Sequence, residues 1–198
     1  MGKTDVILMM ADGLEECEAL NTLDVLRRGG VDVATVSING KKHVVGSHDI
    51  GIDCDMDLAE LLADTSTAEV AGDLQMLILP GGMPGTNHLG DCAPLIGLIG
   101  EMNKQGKWLA AICAAPMVFA QTGVLTGHEA ICYPGCEGVL EENGATIKTE
   151  AVVVDENFVT SRGLGTAISF GLTLVRVLMG ELKAYEVRDS IVSKDEIF

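Results

Sequence analysis

The stretch Trp108-Leu109-Ala110-Ala111-Ile112-Cys113-Ala114-Ala115-Pro116 decides the reading of this chain. An apolar run ends in a cysteine, alanines flank Ile112-Cys113-Ala114, and a proline opens a helical pattern directly afterwards. This layout predicts a strand that turns sharply into a helix, a nucleophile elbow with a thiol at the corner. Such an elbow needs small neighbours, because larger side chains beside the turn clash. Cys113 then stands at the carboxyl end of the strand and over the positive end of a helix, which favours thiolate. The amide of Ala114 and the helix N-terminus become candidates for holding an oxyanion. The competing reading is an inert cysteine in an alanine-rich junction, and this segment alone leaves the two even.

Working outward, Val6–Met10 and Met76–Leu79 are further continuous apolar runs, the pattern of strands buried on both faces of a parallel sheet. Val31–Ser37 reads as an alternating strand. Helical spacing covers Glu15–Arg28, stopped by Gly29-Gly30, and Pro94–Gln105 with proline in its first turn. Helices are also expected from Cys113 to near Gly123, and over Leu58–Ala63, Val139–Asn143, Thr166–Met179 and Leu182–Ile191. Asn39-Gly40 is a turn, and His43–Val45 with Ile50–Ile52 form a hairpin or two edge strands. Ala130–Tyr133 is a short strand. Ala151–Val154 and Phe158–Thr160 are strands around an Asp155-Glu156-Asn157 turn. Strand and helix alternate without repeats or linkers. The expectation is a single α/β domain over residues 1–198, doubly wound around a mostly parallel sheet with helices on both faces.

Composition bounds the function. The 198 residues are 47% hydrophobic but only 4% aromatic, so the core is built from aliphatic side chains and methionine. The net charge of -16 repels phosphates and anionic membranes, and no basic stripe is present, which argues against nucleic-acid binding. No apolar segment is long enough for a membrane span. The run Val6–Ala11 is too short for a signal peptide, and Met1-Gly2 opens no myristoylation motif because Val6 stands where Ser or Thr is required. The six cysteines are irregularly spaced in a chain long for a disulfide scaffold, so free thiols in a reducing cytoplasm are expected. His43, His48, His88 and His128 are scattered, and Cys132-x-x-x-Cys136 has no second pair, so no metal site is expected.

In a doubly wound sheet, sites form at the carboxyl ends of strands. Three features fall there besides Cys113. Glu15-Glu16-Cys17-Glu18 opens a helix, where carboxylates complement the dipole; if one of the three acids points inward it becomes a general base or a thiolate partner. Pro80-Gly81-Gly82 lets the backbone approach a ligand closely, and lacks the GK[ST] ending of a phosphate loop. Ser161-Arg162-Gly163-Leu164-Gly165 precedes a helix, with Arg162 able to hold a carboxylate or carbonyl; its glycines do not complete a dinucleotide fingerprint.

Taken together, Gly13–Glu18, Leu79–Gly82, Ala110–Pro116 and Thr160–Thr166 resemble the ThiJ/PfpI superfamily, in particular its DJ-one, Parkinsonism-associated branch. The four motifs stand in that family's order and spacing from near Val6 to near Gly180. The resemblance implies a flavodoxin-like sandwich, usually homodimeric, with no metal or organic cofactor. It implies Cys113 as the reactive cysteine, Glu18 as its carboxylate partner, and the amides of Gly82 and Ala114 as the oxyanion donors, with Gly81 supporting. Activities attributed to the family include glutathione-independent conversion of methylglyoxal to a lactate, a disputed deglycation, oxidative-stress sensing and chaperone function. Tyr133 departs from the pattern, standing where members with strong glyoxalase activity often carry a histidine; a phenol is a poor base near neutrality. His48 stands where a related branch carries an arginine facing the partner subunit's site, which makes it a candidate site histidine supplied across a dimer interface.

Overall fold

A computed structural model describes residues 5–198; the Met1-Gly2 reading lies outside the described residues. In chain order the elements are β1 (Val6–Met10), α1 (Glu16–Arg28), β2 (Val33–Ser37), β3 (His43–Val45), β4 (Gly51–Asp53), β5 (Met56–Asp57), α2 (Leu58–Leu61), α3 (Thr67–Asp73), β6 (Met76–Leu79), α4 (Gly85–Asp91) and α5 (Ala93–Lys104). They continue with β7 (Trp108–Ile112), α6 (Pro116–Gln121), β8 (Glu129–Ala130), α7 (Glu137–Glu142), β9 (Thr146–Ile147), β10 (Val152–Asp155), β11 (Phe158–Ser161), a 3-10 turn (Leu164–Thr166), α8 (Ala167–Met179) and α9 (Glu181–Ser190).

The main sheet has the order β10-β11-β7-β6-β1-β2-β5. Every neighbouring pair is parallel except β10 with β11, a hairpin at one edge. The parallel part follows the flavodoxin-like order, in which the chain reverses its direction of winding between β1 and β6 and opens a crevice at their carboxyl ends. The expected α/β fold is therefore the observed one.

Two apolar layers explain the continuous hydrophobic runs. Along β1, Ile7 and Met9 face one layer while Val6, Leu8 and Met10 face the other. The first layer is covered by α3 to α7, and the second by α1, α8 and α9. The same rule corrects the reading of β2. It begins at Val33 rather than Val31, and all five of its residues are buried, so its Thr and Ser are not a solvent face.

Other differences are local. Ile131–Tyr133 leave the strand conformation, and β8 pairs instead with β9 in a separate two-stranded sheet. The β3–β4 pair is an antiparallel hairpin, one of the two readings the sequence left open. Two helices were absent from the reading. α3 carries a capping box of Ser66 and Glu69, and α4 holds two glycines, one of which, Gly85, packs so closely on Gly13 and Leu14 that a side chain would clash. No helix among the described residues is long and apolar enough to cross a membrane.

Candidate active site

Cys113 sits where β7 gives way to α6, with a backbone φ of 65°. That left-handed conformation is costly for a residue with a side chain and persists only where its surroundings enforce it. Here the enforcement is visible: the Cys113 N–H donates to the Ser161 carbonyl at 2.9 Å, and its own carbonyl accepts from the Tyr133 N–H at 2.8 Å. The buried alanines at 114 and 115 leave room for the turn. The elbow is thus pinned from β11 on one side and from the segment after β8 on the other.

Glu18 arrives from α1. The first turn of that helix is locked to the loop after β6 by reciprocal bonds. The Glu15 N–H donates to the Gly81 carbonyl at 2.9 Å, and the Gly81 N–H donates to Glu18 Oε2 at 3.0 Å. Glu15 is the helix N-cap, accepting the Glu18 N–H at 2.6 Å. Gly81 has no space for a side chain: a Cβ there would lie 2.5 Å from Cys113 Cβ and 2.7 Å from Glu18 Oε2. Gly82 follows with φ of 93°, another position suited to glycine. The amides of Gly82 and Ala114 are both directed at the Cys113 sulfur, and the Leu164 amide at the Glu18 carboxyl.

The electrostatics of this pair correct one expectation. Burial, reinforced by the Glu18 carboxylate, pushes the Cys113 thiol up to about 12, against the pull of the Ala114 and Gly82 amides. Burial likewise pushes Glu18 up to about 7, helped by the charge of Glu15 and opposed by hydrogen bonds from Cys113, Gly81 and Leu164. The helix behind the elbow has only six residues, and its dipole does not overcome desolvation beside an anion. A thiolate therefore depends on a protonated Glu18, which stops repelling it and donates to it; the two groups titrate as a pair.

The acidic cluster also differs from its reading, because two of its acids are buried. Glu16 accepts from the His48 N–H at 2.7 Å and from His48 Nδ1 at 2.8 Å. Burial opposes its ionisation, but these bonds prevail and hold its carboxyl at about 2. His48 is raised in turn, first by that hydrogen bond and then by the charge of Glu16. His48 is thus engaged with Glu16 of its own chain. Glu15, Glu16 and His48 bring ligand atoms within 4.8 Å of one another, a grouping that scattered histidines in the sequence did not reveal. Its carboxylates are already committed, Glu15 to the helix cap and Glu16 to His48.

The remaining candidates divide. Tyr133 lies beside the thiol. A Cβ placed on Gly163 would be 3.4 Å from Tyr133 Cδ2, 3.7 Å from Glu18 Oε1 and 3.8 Å from Cys113 Sγ, so all three border one gap. Arg162 is exposed and its side chain forms no ion pair among the described residues; only its backbone N–H is engaged, with the Ala151 carbonyl. The Leu164 amide leaves no mark in the sequence, because every residue except proline carries a backbone donor. All six cysteines are free thiols.

Comparison with known proteins shows what the chain is similar to. The model of the DJ-1/PfpI family matches residues 4–177. Protein dj-1beta of Drosophila melanogaster is 36% identical over 187 residues, spanning 94% of this chain and 95% of its own. A Caenorhabditis elegans relative named glutathione-independent glyoxalase DJR-1.2 is 32% identical over 183 residues, 91% of each chain. The solved structure of oxidized Toxoplasma gondii DJ-1 matches with a TM-score of 0.87 at 29% identity, covering 97% of this chain and 100% of that one. The elbow cysteine, the acid on α1 and the glycines after β6 thus occur in a chain that belongs to the DJ-1/PfpI family.

Proposed function

We propose that the protein is a cysteine-dependent, cofactor-free glyoxalase acting on small 2-oxoaldehydes such as methylglyoxal. The observation that carries this reading is the convergence of the Glu18 carboxyl and the Gly82 and Ala114 amides on the Cys113 sulfur. The C. elegans relative with glyoxalase in its name supports it.

In this mechanism ionised Glu18 accepts the thiol proton as Cys113 Sγ adds to the aldehyde carbon, giving a hemithioacetal whose oxygen the two amides stabilise. Glu18 hands that proton to the hemithioacetal oxygen and, ionised again, removes the hydrogen of that carbon as a proton and returns it to the neighbouring carbon, while the hydroxyl proton passes to the neighbouring oxygen. The product is a thioester of the 2-hydroxy acid. Water cleaves it, releasing the acid and restoring the thiol, so the net change is addition of one water. Glu18 is the proton relay in this reading. We place the working protein as a homodimer with free thiols in a reducing cytoplasm, to be checked by sedimentation and by thiol titration of cell extracts.

The test is turnover of methylglyoxal without glutathione by the wild type, Cys113→Ala and Glu18→Gln. The expected result is loss of about 100-fold or more in kcat for Cys113→Ala and for Glu18→Gln. Equal turnover by wild type and Cys113→Ala would sink the reading.

One observation favours a second reading, a redox sensor. A Glu18 that gains its proton near pH 7 beside two sulfur-directed amides is a donor set for a cysteine sulfinate. Two equivalents of peroxide convert the thiol to the sulfinic acid and yield two waters. Peptide mass spectrometry after mild peroxide tests it: Cys113 should oxidise ahead of the other five thiols, and equal oxidation of all six refutes sensing.

A further inference from the structure

Residues that build or adjoin the site expose large apolar side chains. Tyr133 is 52% exposed although its ring edge borders the gap shared by Cys113 Sγ and Glu18 Oε1. Its base cannot drift away, because its N–H is bonded to the Cys113 carbonyl at 2.8 Å. Its hydroxyl forms no hydrogen bond with another described residue. Leu164 is 50% exposed while its amide holds Glu18, and Met83 is 52% exposed directly after the Gly82 amide that points at the sulfur. Three residues whose backbones build the site or adjoin it therefore expose large apolar side chains. An exposed aromatic face beside a reactive thiol is a surface that an apolar ligand group can cover.

We propose that the Cys113 site carries an apolar subsite, walled by the Tyr133 ring with Leu164 and Met83 at its rim, that takes 2-oxoaldehydes bearing an aryl or bulky alkyl group on the ketone carbon. The proposal rests on Cys113 being the group that receives the carbonyl compound. With the aldehyde carbon at Sγ and its oxygen toward the Gly82 and Ala114 amides, the ketone substituent projects away from Glu18 and toward the Tyr133 ring. A hydrogen or methyl there leaves the ring uncovered. A phenyl group stacks on it and removes apolar surface from water on both sides. None of the three side chains offers a charge, so a carboxylate or ammonium on the substituent gains nothing at this wall. Tyr133 is in this view a specificity residue, a platform where a base is absent.

The experiment has two arms. In the first, kcat/KM is measured for phenylglyoxal and methylglyoxal with the wild type, Tyr133→Phe and Tyr133→Ala. The wild type should favour phenylglyoxal by about tenfold or more, the size of discrimination an apolar pocket gives. Tyr133→Phe should keep the preference and Tyr133→Ala should lose most of it through KM rather than kcat. The second arm needs no turnover. Rates of Cys113 labelling by N-phenylmaleimide and N-methylmaleimide are compared with the same ratio at exposed Cys17, which reports the reagents' own reactivity. A several-fold excess of phenyl selectivity at Cys113, abolished in Tyr133→Ala, supports the subsite. A ratio at Cys113 equal to that at Cys17, or unchanged by Tyr133→Ala, overturns it. Phenyl-selective labelling without turnover of either aldehyde would leave the subsite standing and refute the glyoxalase reading. Turnover without any phenyl selectivity would do the reverse.

Discussion

Gly81 is the residue on which the site closes. Three groups meet where its side chain would be: Cys113 Cβ at 2.5 Å, Glu18 Oε2 at 2.7 Å and the Ile112 carbonyl at 3.0 Å. Two of these belong to the elbow and cannot swing aside, since Cys113 is bonded through both its N–H and its carbonyl. Adding one methyl therefore parts the thiol from the acid. Gly81→Ala is expected to destabilise the fold by about 1–3 kcal/mol, the range for overpacking, read from urea unfolding. It should also relieve the mutual elevation of the pair, so that Cys113 alkylation rises at a lower pH than in the wild type. An unchanged alkylation profile would show that thiol and carboxyl are not held against each other by this glycine. The residue scale also marks where sequence reading stopped. The cluster by itself read as first-turn acids complementing the helix dipole, and the acid partner on α1 became legible through the family resemblance. Which of them turns inward came from the family resemblance, and that a second one, Glu16, is buried and bonded to the exposed His48 depends on a loop 32 residues away that no local pattern encodes.

At the scale of elements, α1 is held in place by α8, and glycines set how near they come. A Cβ at Gly171 would lie 3.0 Å from Val25 Cβ, and one at Gly29 would lie 2.9 Å from Val175 Cγ2. This close crossing fixes where the helix bearing Glu18 lies against α8. Gly171→Leu should push α1 outward. The expected cost is again about 1–3 kcal/mol in stability, together with a fall in methylglyoxal turnover although residue 171 touches no substrate. Retained turnover at reduced stability would mean that α1 tolerates the shift. Legibility follows the same physics. Strands buried on both faces give unbroken apolar runs, so β1, β6 and β7 were readable to the residue. α3 is signalled by Ser66 and Glu69, but its seven residues bury only Val70 and Ala71, too few for a helical apolar period to show. α4 is poor in helix formers and exists because Gly85 docks on Gly13 and Leu14, a tertiary cause with no local trace. The pairing of β8 with β9 joins two-residue strands sixteen positions apart, too short for any period to register.

For the whole molecule, two buried acids draw the dependence of stability on pH in opposite directions. Glu16 is held near 2, below its ordinary 4.5, so its contribution is present above pH 4.5 and is lost as the pH falls toward 2. Glu18 is raised to about 7. Its protonated form is the one folding favours, so its contribution is full below pH 4.5 and is lost as the pH rises through 7. His48, also raised, acts in the same direction as Glu18 at the alkaline end. Self-repulsion from a net charge of -16 adds to the loss there. The native state is therefore expected to be most stable in mildly acidic solution and to weaken toward pH 8. Glu18→Gln, which keeps the shape and removes the ionisation, should flatten the decline between pH 4.5 and 7 and exceed the wild type in stability above pH 7. Glu16→Gln should instead flatten the acid limb between pH 4.5 and 2. Urea midpoints measured across pH 3–8 for the three proteins decide the matter. Parallel curves for wild type and Glu18→Gln between pH 5 and 8 would mean that Glu18 ionises in the native state as readily as in the unfolded chain. In that case the proton shared with Cys113, on which the proposed chemistry depends, would not be held by the fold.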